Sequence, residues 1–345
     1  MKIAICSTYV PFVYGGARNI VEWLSAMLEE AGHRVEIVYL PEIDSPDTLF
    51  QQMCGFRWVH LEDADRIICI RPQSHIIPHP HKILWFIHHI RLFYDLWDHP
   101  EYNSIPRTRR NLGMRESLMD IDTRAMLEAK AIFTNSQVVS DRIRQFNGLD
   151  SEVPYPPVFR PERFSVQEYN DEIVCICRLE HHKRQHLLVE AMAHTKTPVR
   201  LRLCGESSGA NYLRQLQSQI KRLGVGKRVA LEGRWISEEK KVQLFGNCLA
   251  AAYLPVDEDS YGYPTIEAAL ASKACISTTD SGGVLEFVTN QQNGFLVDPD
   301  PAQLAQVMDS LYEDQNEARR LGANANAAID QKNITWSHVL ERVLA

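Results

Sequence analysis

The residues best suited to chemistry sit in five short turns, each directly after an apolar, strand-like run. The first is Pro11-Phe12-Val13-Tyr14-Gly15-Gly16, at the start of a helical pattern. Adjacent glycines let a ligand approach the backbone, and a helix start offers unbonded N–H groups to an anion. A plain turn uses the same pair. After Ile83-Leu84-Trp85-Phe86-Ile87 stand His88 and His89. A histidine closing a buried strand suits hydrogen bonding or proton transfer near neutrality, with a core histidine as the competing reading. The third turn carries Arg178 and Lys183, two cations beside a helix start that could neutralise a diphosphate leaving group, or merely face solvent. The fourth, Asp259-Ser260-Tyr261-Gly262-Tyr263-Pro264-Thr265-Ile266-Glu267, is the most informative. Gly262 allows a sharp bend and Pro264 suits a first helical turn, leaving amides to point at a ligand. Glu267 then lies where a carboxylate could reach ribose hydroxyls, or simply stabilise the helix start. The fifth is the glycine turn Asp280-Ser281-Gly282-Gly283-Val284-Leu285-Glu286.

Other chemistries lack their anchors. No GxGxxG follows the first strand and no GxxxxGK[ST] occurs, which argues against dinucleotide and P-loop sites. His79 and His81 lie among prolines without a carboxylate at ligand spacing, so no metal site is expected. There are eight cysteines but no CxxC pair, and seven sit in apolar runs where a thiol packs as a small hydrophobe.

Apolar runs near 2–7, 34–39, 66–70, 82–87 and 130–134 predict five strands in the first half. Ile20, Val21, Leu24, Met27 and Leu28 predict a helix after the first, stopped by Gly32. Pro154-Tyr155-Pro156-Pro157 interrupts the pattern. A second series then predicts strands near 172–177, 199–204, 228–232, 249–254, 273–277 and 294–297. Helices over 187–193, 211–223, 238–247, 265–272 and 302–313 alternate with them. This reads as α/β, two Rossmann-like, doubly wound parallel-sheet domains. Ligands bind beyond the carboxyl ends of such strands, so the five turns predict an interdomain cleft for a phosphate-bearing ligand. The expected divisions are 1–160, 161–325 and a closing segment 326–345.

The 345 residues suffice for two cores, with 45% hydrophobic and 23% charged residues. A net charge of −7 argues against a nucleic-acid partner. The longest apolar stretch, Cys248 to Val256, is too short to span a bilayer, and Met1 leads straight into a strand, so a cytoplasmic location is expected.

Taken in order, these residues resemble the retaining glycosyltransferases of family 4, which have the GT-B fold. The resemblance runs from end to end and is strongest over about 172–300. It implies that Gly15 and Gly16 lie near donor phosphate or sugar, that His88 contacts the donor sugar, and that Arg178 and Lys183 hold the diphosphate. The family's pair of glutamates falls on Asp259 and Glu267, with backbone donors from Gly262, Tyr263 and Thr265 and the ribose on Glu267. Asn135-Ser136, Gly233, Asn293-Gly294-Phe295-Leu296 and Thr335-Trp336 match further motifs. The departure is Asp259, shorter than glutamate by about 1.5 Å; adjacent Glu258 is a register-shifted alternative. The implied reaction moves a hexose-type sugar from a UDP- or GDP-sugar to a glycan or lipid-linked acceptor, without a metal or other cofactor, as in bacterial surface-polysaccharide synthesis. Other GT-B nucleotide-sugar activities, epimerase or hydrolase, and a non-catalytic nucleotide-sugar-binding subunit are the alternatives. For the acceptor, the stretch 99–124 with Tyr102, Arg107, Arg109, Arg110 and Arg115 reads as a basic mobile loop suited to an anionic acceptor or a peripheral membrane contact, or as a solvated face. Trp85, Phe93, Tyr94 and Trp97 could line sugar subsites or fill the core.

Overall fold

The computed structural model describes the whole chain except Val13, Tyr14, Ile43, Asp44, Pro100, Glu101, Tyr102, Ser104 and Ser208. Tyr102 therefore lies outside the described residues. The chain divides into two compact units, residues 1–156 with 335–345, and residues 157–334.

In the first unit the elements run β1 (Lys2–Tyr9), α1 (Gly16–Glu30), β2 (Arg34–Pro41), α2 (Leu49–Arg57), β3 (Arg66–Cys69), β4 (Lys82–Phe86), α3 (Arg109–Leu127), β5 (Ala131–Thr134) and α4 (Gln137–Asn147). All strand pairs are parallel, in the order β2-β1-β3-β4-β5. Successive side chains of a strand point to opposite faces, and both faces here are apolar. Ile3, Ile5, Ile68, Ile83 and Trp85 pack with Ile20, Val21, Leu24 and Leu28 of α1. Ala4, Cys6, Ile67, Cys69, Leu84 and Phe86 pack with Leu49, Met53 and Phe56 of α2, Leu118 and Met126 of α3, and Val139 and Ile143 of α4.

The second unit runs β6 (Glu172–Ile176), α5 (Gln185–His194), β7 (Arg200–Cys204), α6 (Ala210–Leu223), β8 (Val229–Glu232), α7 (Glu238–Asn247), β9 (Ala250–Ala252), α8 (Tyr263–Leu270), β10 (Cys275–Thr278), β11 (Gly294–Val297), α9 (Pro301–Glu313) and α10 (Gln315–Gln331). Its sheet is also parallel, ordered β11-β10-β9-β6-β7-β8. The last helix, α11 (Trp336–Leu344), belongs to the first unit. Thr335 caps it by accepting from the His338 amide at 3.3 Å, and Trp336, Val339 and Val343 join the core of Ile3, Ile5 and α1. α10 runs unbroken through the division expected at 325/326.

Residues 109–127 form a helix, not the basic mobile loop expected from 99–124. Thr108 accepts from the Asn111 amide at 3.2 Å, and Leu118, Asp122, Ala125 and Met126 bury one face. Three of its arginines, and Arg107 just before it, have local partners. Arg115 Nε donates to the Phe93 carbonyl at 2.8 Å, the Arg107 guanidinium lies 3.8 Å from the Trp97 ring centroid, and Arg110 and Arg124 pair with Asp47 and Asp120. Trp85, Phe93, Tyr94 and Trp97 are buried core residues rather than an open sugar subsite.

Trp336→Ala removes the largest side chain by which α11 closes the first core, so it should cost about 3–5 kcal/mol. Urea denaturation measures this; a loss under about 1 kcal/mol would show that α11 does not contribute to that core.

Candidate functional site

In a doubly wound sheet, ligands collect where neighbouring crossovers leave in opposite directions, beyond the strands' carboxyl ends. In the second unit that point lies between β6 and β9. The loop after β6 carries Arg178 and Lys183, and the loop after β9 carries Glu258 through Gly262. The topology thus brings together, within this unit, the residues picked out by their positions at strand ends.

Three backbone bonds lace the loops at this edge. The Val256 amide donates to the His182 carbonyl at 2.9 Å, the Asp257 amide to the Asp280 carbonyl at 3.0 Å, and the Gly283 amide to the Glu258 carbonyl at 2.8 Å. Gly282 is required here: its φ is 62°, and a Cβ would lie 2.5 Å from the backbone N of Glu258. Gly262, at φ 70°, turns the chain into α8 over the Tyr253 ring, whose Cε1 would lie 2.3 Å from a Cβ. A side chain at 282 would push away the backbone of residues 257 and 258, and one at 262 would collide with the Tyr253 ring.

Lys183 is buried on this platform, and its ammonium has two partners. Nζ donates to the Tyr253 hydroxyl at 2.9 Å and forms an ion pair with Glu258; the Tyr253 hydroxyl donates to the same Glu258 oxygen at 3.0 Å. Burial pushes the Glu258 carboxyl up, but the Lys183 charge and the two hydrogen bonds outweigh it, so Glu258 lies below its ordinary value. Of the two carboxylates weighed from the sequence, Glu258 meets Lys183, while Asp259 is the half-buried residue beside it. Arg178 is more open and donates to Glu180 at 2.7 Å.

Arg184 was not anticipated. It adopts a left-handed φ of 53° and is buried. Its guanidinium donates to the carbonyls of Leu254 and Pro255 at 2.8 Å each, to Thr278 Oγ1 at 2.6 Å, and to both Asp280 oxygens at 2.7 Å. One side chain thereby ties the loops after β6, β9 and β10.

On α8, Pro264 lies in the first turn as expected and Tyr263 opens the helix. The Thr265 amide is engaged within that turn, donating to the Gly262 carbonyl at 3.1 Å, and the Gly262 amide lies 3.5 Å from Ser260 Oγ. Two of the amides expected to face a ligand thus have local acceptors, because the tight first turn closes on itself. Glu267 is buried, and Lys241 Nζ of α7 lies 2.5 Å from its Oε1. Burial raises the Glu267 carboxyl above its usual value; Lys241 opposes this and Glu238 adds to it. Lys241 was also missed from the sequence.

The carboxyl edge of the first sheet carries His88, after β4. Its Nδ1 lies 2.8 Å from the His89 carbonyl. A carbonyl only accepts, so Nδ1 carries the proton and Nε2 keeps its lone pair. Burial, with the nearby Arg71 charge, lowers His88 to about 4, so the ring is neutral at pH 7. His89 is a core residue, bonded through Nε2 to Asn147 Oδ1 at 2.9 Å and packed 4.2 Å from the Tyr94 ring. Gly15 precedes α1 as its N-cap and accepts from the Arg18 and Asn19 amides at 3.0 Å; Gly16 begins the helix. Both nitrogens of His79 are occupied, by the Ala64 carbonyl and the His81 amide. Among the described residues no three His, Cys, Asp or Glu side chains cluster as metal ligands, and no helix is long and apolar enough to cross a membrane.

Residues 160–328 match the family model described as Glycosyl transferases group 1. The human Alpha-1,3/1,6-mannosyltransferase ALG2 is 23% identical over 231 residues, covering 59% of this chain and 55% of that protein. The chain spans about half the length of the curated relatives it matches. Among solved structures, Anabaena Alr3699/HepE in complex with UDP aligns with a TM-score of 0.72 at 20% identity, covering 99% of both chains. Sucrose-phosphate synthase from Thermosynechococcus elongatus aligns with a TM-score of 0.77 at 17% identity, covering 98% of this chain and 96% of that one. The fold is GT-B, two parallel-sheet Rossmann-like domains. The second unit carries a domain of the glycosyl transferases group 1 type.

Glu258→Gln leaves a buried ammonium without its counter-charge, and should destabilise the chain by about 3 kcal/mol at pH 7. Because the folded carboxyl lies below its unfolded value, the stabilisation is present above the usual glutamate range, about pH 4.3, and is lost as pH falls through the folded value. Urea midpoints should therefore differ between wild type and variant more at pH 7 than at pH 3.5. An equal difference at both values contradicts the pairing.

Proposed function

We propose that this chain is a retaining glycosyltransferase. It moves a hexose-type sugar from a UDP- or GDP-sugar to a glycan or glycolipid acceptor, in surface-polysaccharide synthesis. The observation that carries the reading is the buried Lys183 at the β6/β9 switch point, in the same loop as Arg178 and on the same edge as Glu267. Cations at the carboxyl edge of a parallel sheet suit a diphosphate, and a carboxylate one helix turn into α8 suits a ribose diol. The UDP complex of Anabaena Alr3699/HepE supports a nucleoside diphosphate as the ligand class, and the matched domain type supports glycosyl transfer.

In the proposed reaction the acceptor hydroxyl oxygen forms a bond to the anomeric carbon as the carbon–oxygen bond to the donor diphosphate breaks. The leaving diphosphate takes the electron pair and, on the same face of the sugar, the acceptor proton. Arg178 and Lys183 then stabilise the charge that develops on it, so the protein's contribution is placement and electrostatics. Gly15, Gly16, Gly262, Tyr263 and Thr265 are assigned to the donor and Asp259 to the sugar. His88 is assigned to turnover, with a neutral Nε2 that accepts a hydrogen bond. No metal is required in this scheme, since two side-chain cations do the neutralising. A cytoplasmic setting, with peripheral membrane contact for a lipid-linked acceptor, completes the proposal.

Arg178 is the more open member of its pair with Glu180, whose side chain is 14% exposed, so the Arg178→Ala variant is first checked for folding and then assayed. The substitution should lower kcat by about 100- to 1,000-fold, the usual worth of such a donor. Turnover close to wild type would remove Arg178 from the reaction. Excess chelator should leave transfer intact; loss of activity restored only by added divalent cation would refute metal independence.

A further inference from the structure

Glu267 does not stand alone. Its side chain is 4% exposed, and every hydrogen bond it makes among the described residues falls on one oxygen. That oxygen, Oε1, is held by Lys241 Nζ at 2.5 Å, and the same Nζ lies 2.9 Å from Glu238 Oε1. Lys241 comes from another helix, α7, whose start is fixed by Ser237 accepting from the Lys240 amide at 3.2 Å. A lysine has three donors and a four-carbon stem, so it would ordinarily extend into solvent. Here its side chain is only 13% exposed and is committed to two carboxylates.

We propose that Lys241 is the positioning residue for Glu267, holding Oε1 so that Oε2 is presented, ionised, to the ribose hydroxyls of the donor. This rests on the nucleotide-sugar reading given above. The physics is that of a buried carboxylate. Ionised, it accepts hydrogen bonds from both hydroxyls of a vicinal diol; protonated, it becomes partly a donor and loses the stronger, charge-assisted contact. Burial favours the protonated form, as does Glu238 on α7. Lys241 is the cation that opposes them, and the Tyr263 phenol on α8, itself held neutral by burial and by Glu267, adds no charge. Without Lys241 the carboxyl would titrate higher and its orientation would no longer be fixed.

A purely structural clamp between α7 and α8 would make a different prediction, because it would weaken all nucleotides alike. Discrimination between ribose and dideoxyribose separates the two roles. The measurement is calorimetric titration of the full chain with UDP and with GDP, the tighter ligand then being compared with its 2′,3′-dideoxy analogue. Wild type should prefer the ribonucleotide by about tenfold or more. Glu267→Gln and Lys241→Met should both collapse that preference, and Lys241→Arg should restore most of it. In Lys241→Met, whatever preference for the ribonucleotide remains should recover as pH is raised and the carboxyl ionises, more steeply than in wild type, and taking the ratio to the dideoxy analogue cancels the titration of the nucleotide's own terminal phosphate. Lys241→Gln keeps a donor for Oε1 without the charge, so it should show the same pH dependence even where Lys241→Met does not fold. Loss of preference in Glu267→Gln but full retention, level with pH, in Lys241→Met or Lys241→Gln would overturn this inference alone. Retained preference in Glu267→Gln, or no binding of either nucleotide by wild type, would overturn the donor reading as well.

Discussion

A buried charge survives in a folded protein only where a counter-charge and hydrogen bonds replace its lost hydration. At the carboxyl edge of the second sheet that condition is met three times. Lys183 is matched by Glu258 and Tyr253, Arg184 by Asp280 and Thr278, and Lys241 by Glu267 and Glu238. Lys183–Glu258, Arg184–Asp280 and Lys241–Glu267 each join segments that are distant in the chain. Together they fix the loops after β6, β9 and β10 and set α7 against α8. Removing one partner leaves the other charge stranded, so the edge is held by mutual dependence more than by the strength of any one contact.

The fold explains why the pairs lie here. A parallel sheet buried on both faces leaves little room for charge within it, the Arg202 pairs with Glu172 and Glu232 aside, so the loops beyond the strand ends are where charged groups readily meet. The strand order reverses at β6 and β9, which opens room between outgoing crossovers. Glycines at 262 and 282 admit the close approach that brings the loops within hydrogen-bond reach. Lys183 and Arg178 are paired with Glu258 and Glu180, so in the transfer proposed above the diphosphate takes over donors that these carboxylates hold.

Much of this was legible in the sequence, for a definite reason. The strands are short, almost wholly apolar runs bounded by turns, so their positions and their carboxyl ends could be read, and with them Arg178, Lys183, Gly262 and Glu267. The identity of Lys183's partner was not legible. Asp257 takes a left-handed φ of 41° and Glu258 bridges Gly282, so whether Glu258 or Asp259 meets Lys183 is set by how residues 257 and 258 pair with the loop at 280–283, a tertiary fact. Arg184 was hidden because its role follows from a left-handed backbone. Lys241 was hidden because 26 residues separate it from Glu267 with no local pattern to link them. The helix α3 was read as a loop because its charged residues mask a narrow apolar face; the cap at Thr108 was the available signal.

The central claim is that this edge of the second unit receives a nucleoside diphosphate. A crystal structure of the chain with UDP or GDP tests it most directly. The account predicts phosphate oxygens within hydrogen-bond distance of Lys183 Nζ and the Arg178 guanidinium, with ribose hydroxyls on Glu267 Oε2. A nucleotide bound elsewhere, with Lys183 still enclosed by Glu258 and Tyr253 and no contact to Glu267, would contradict it.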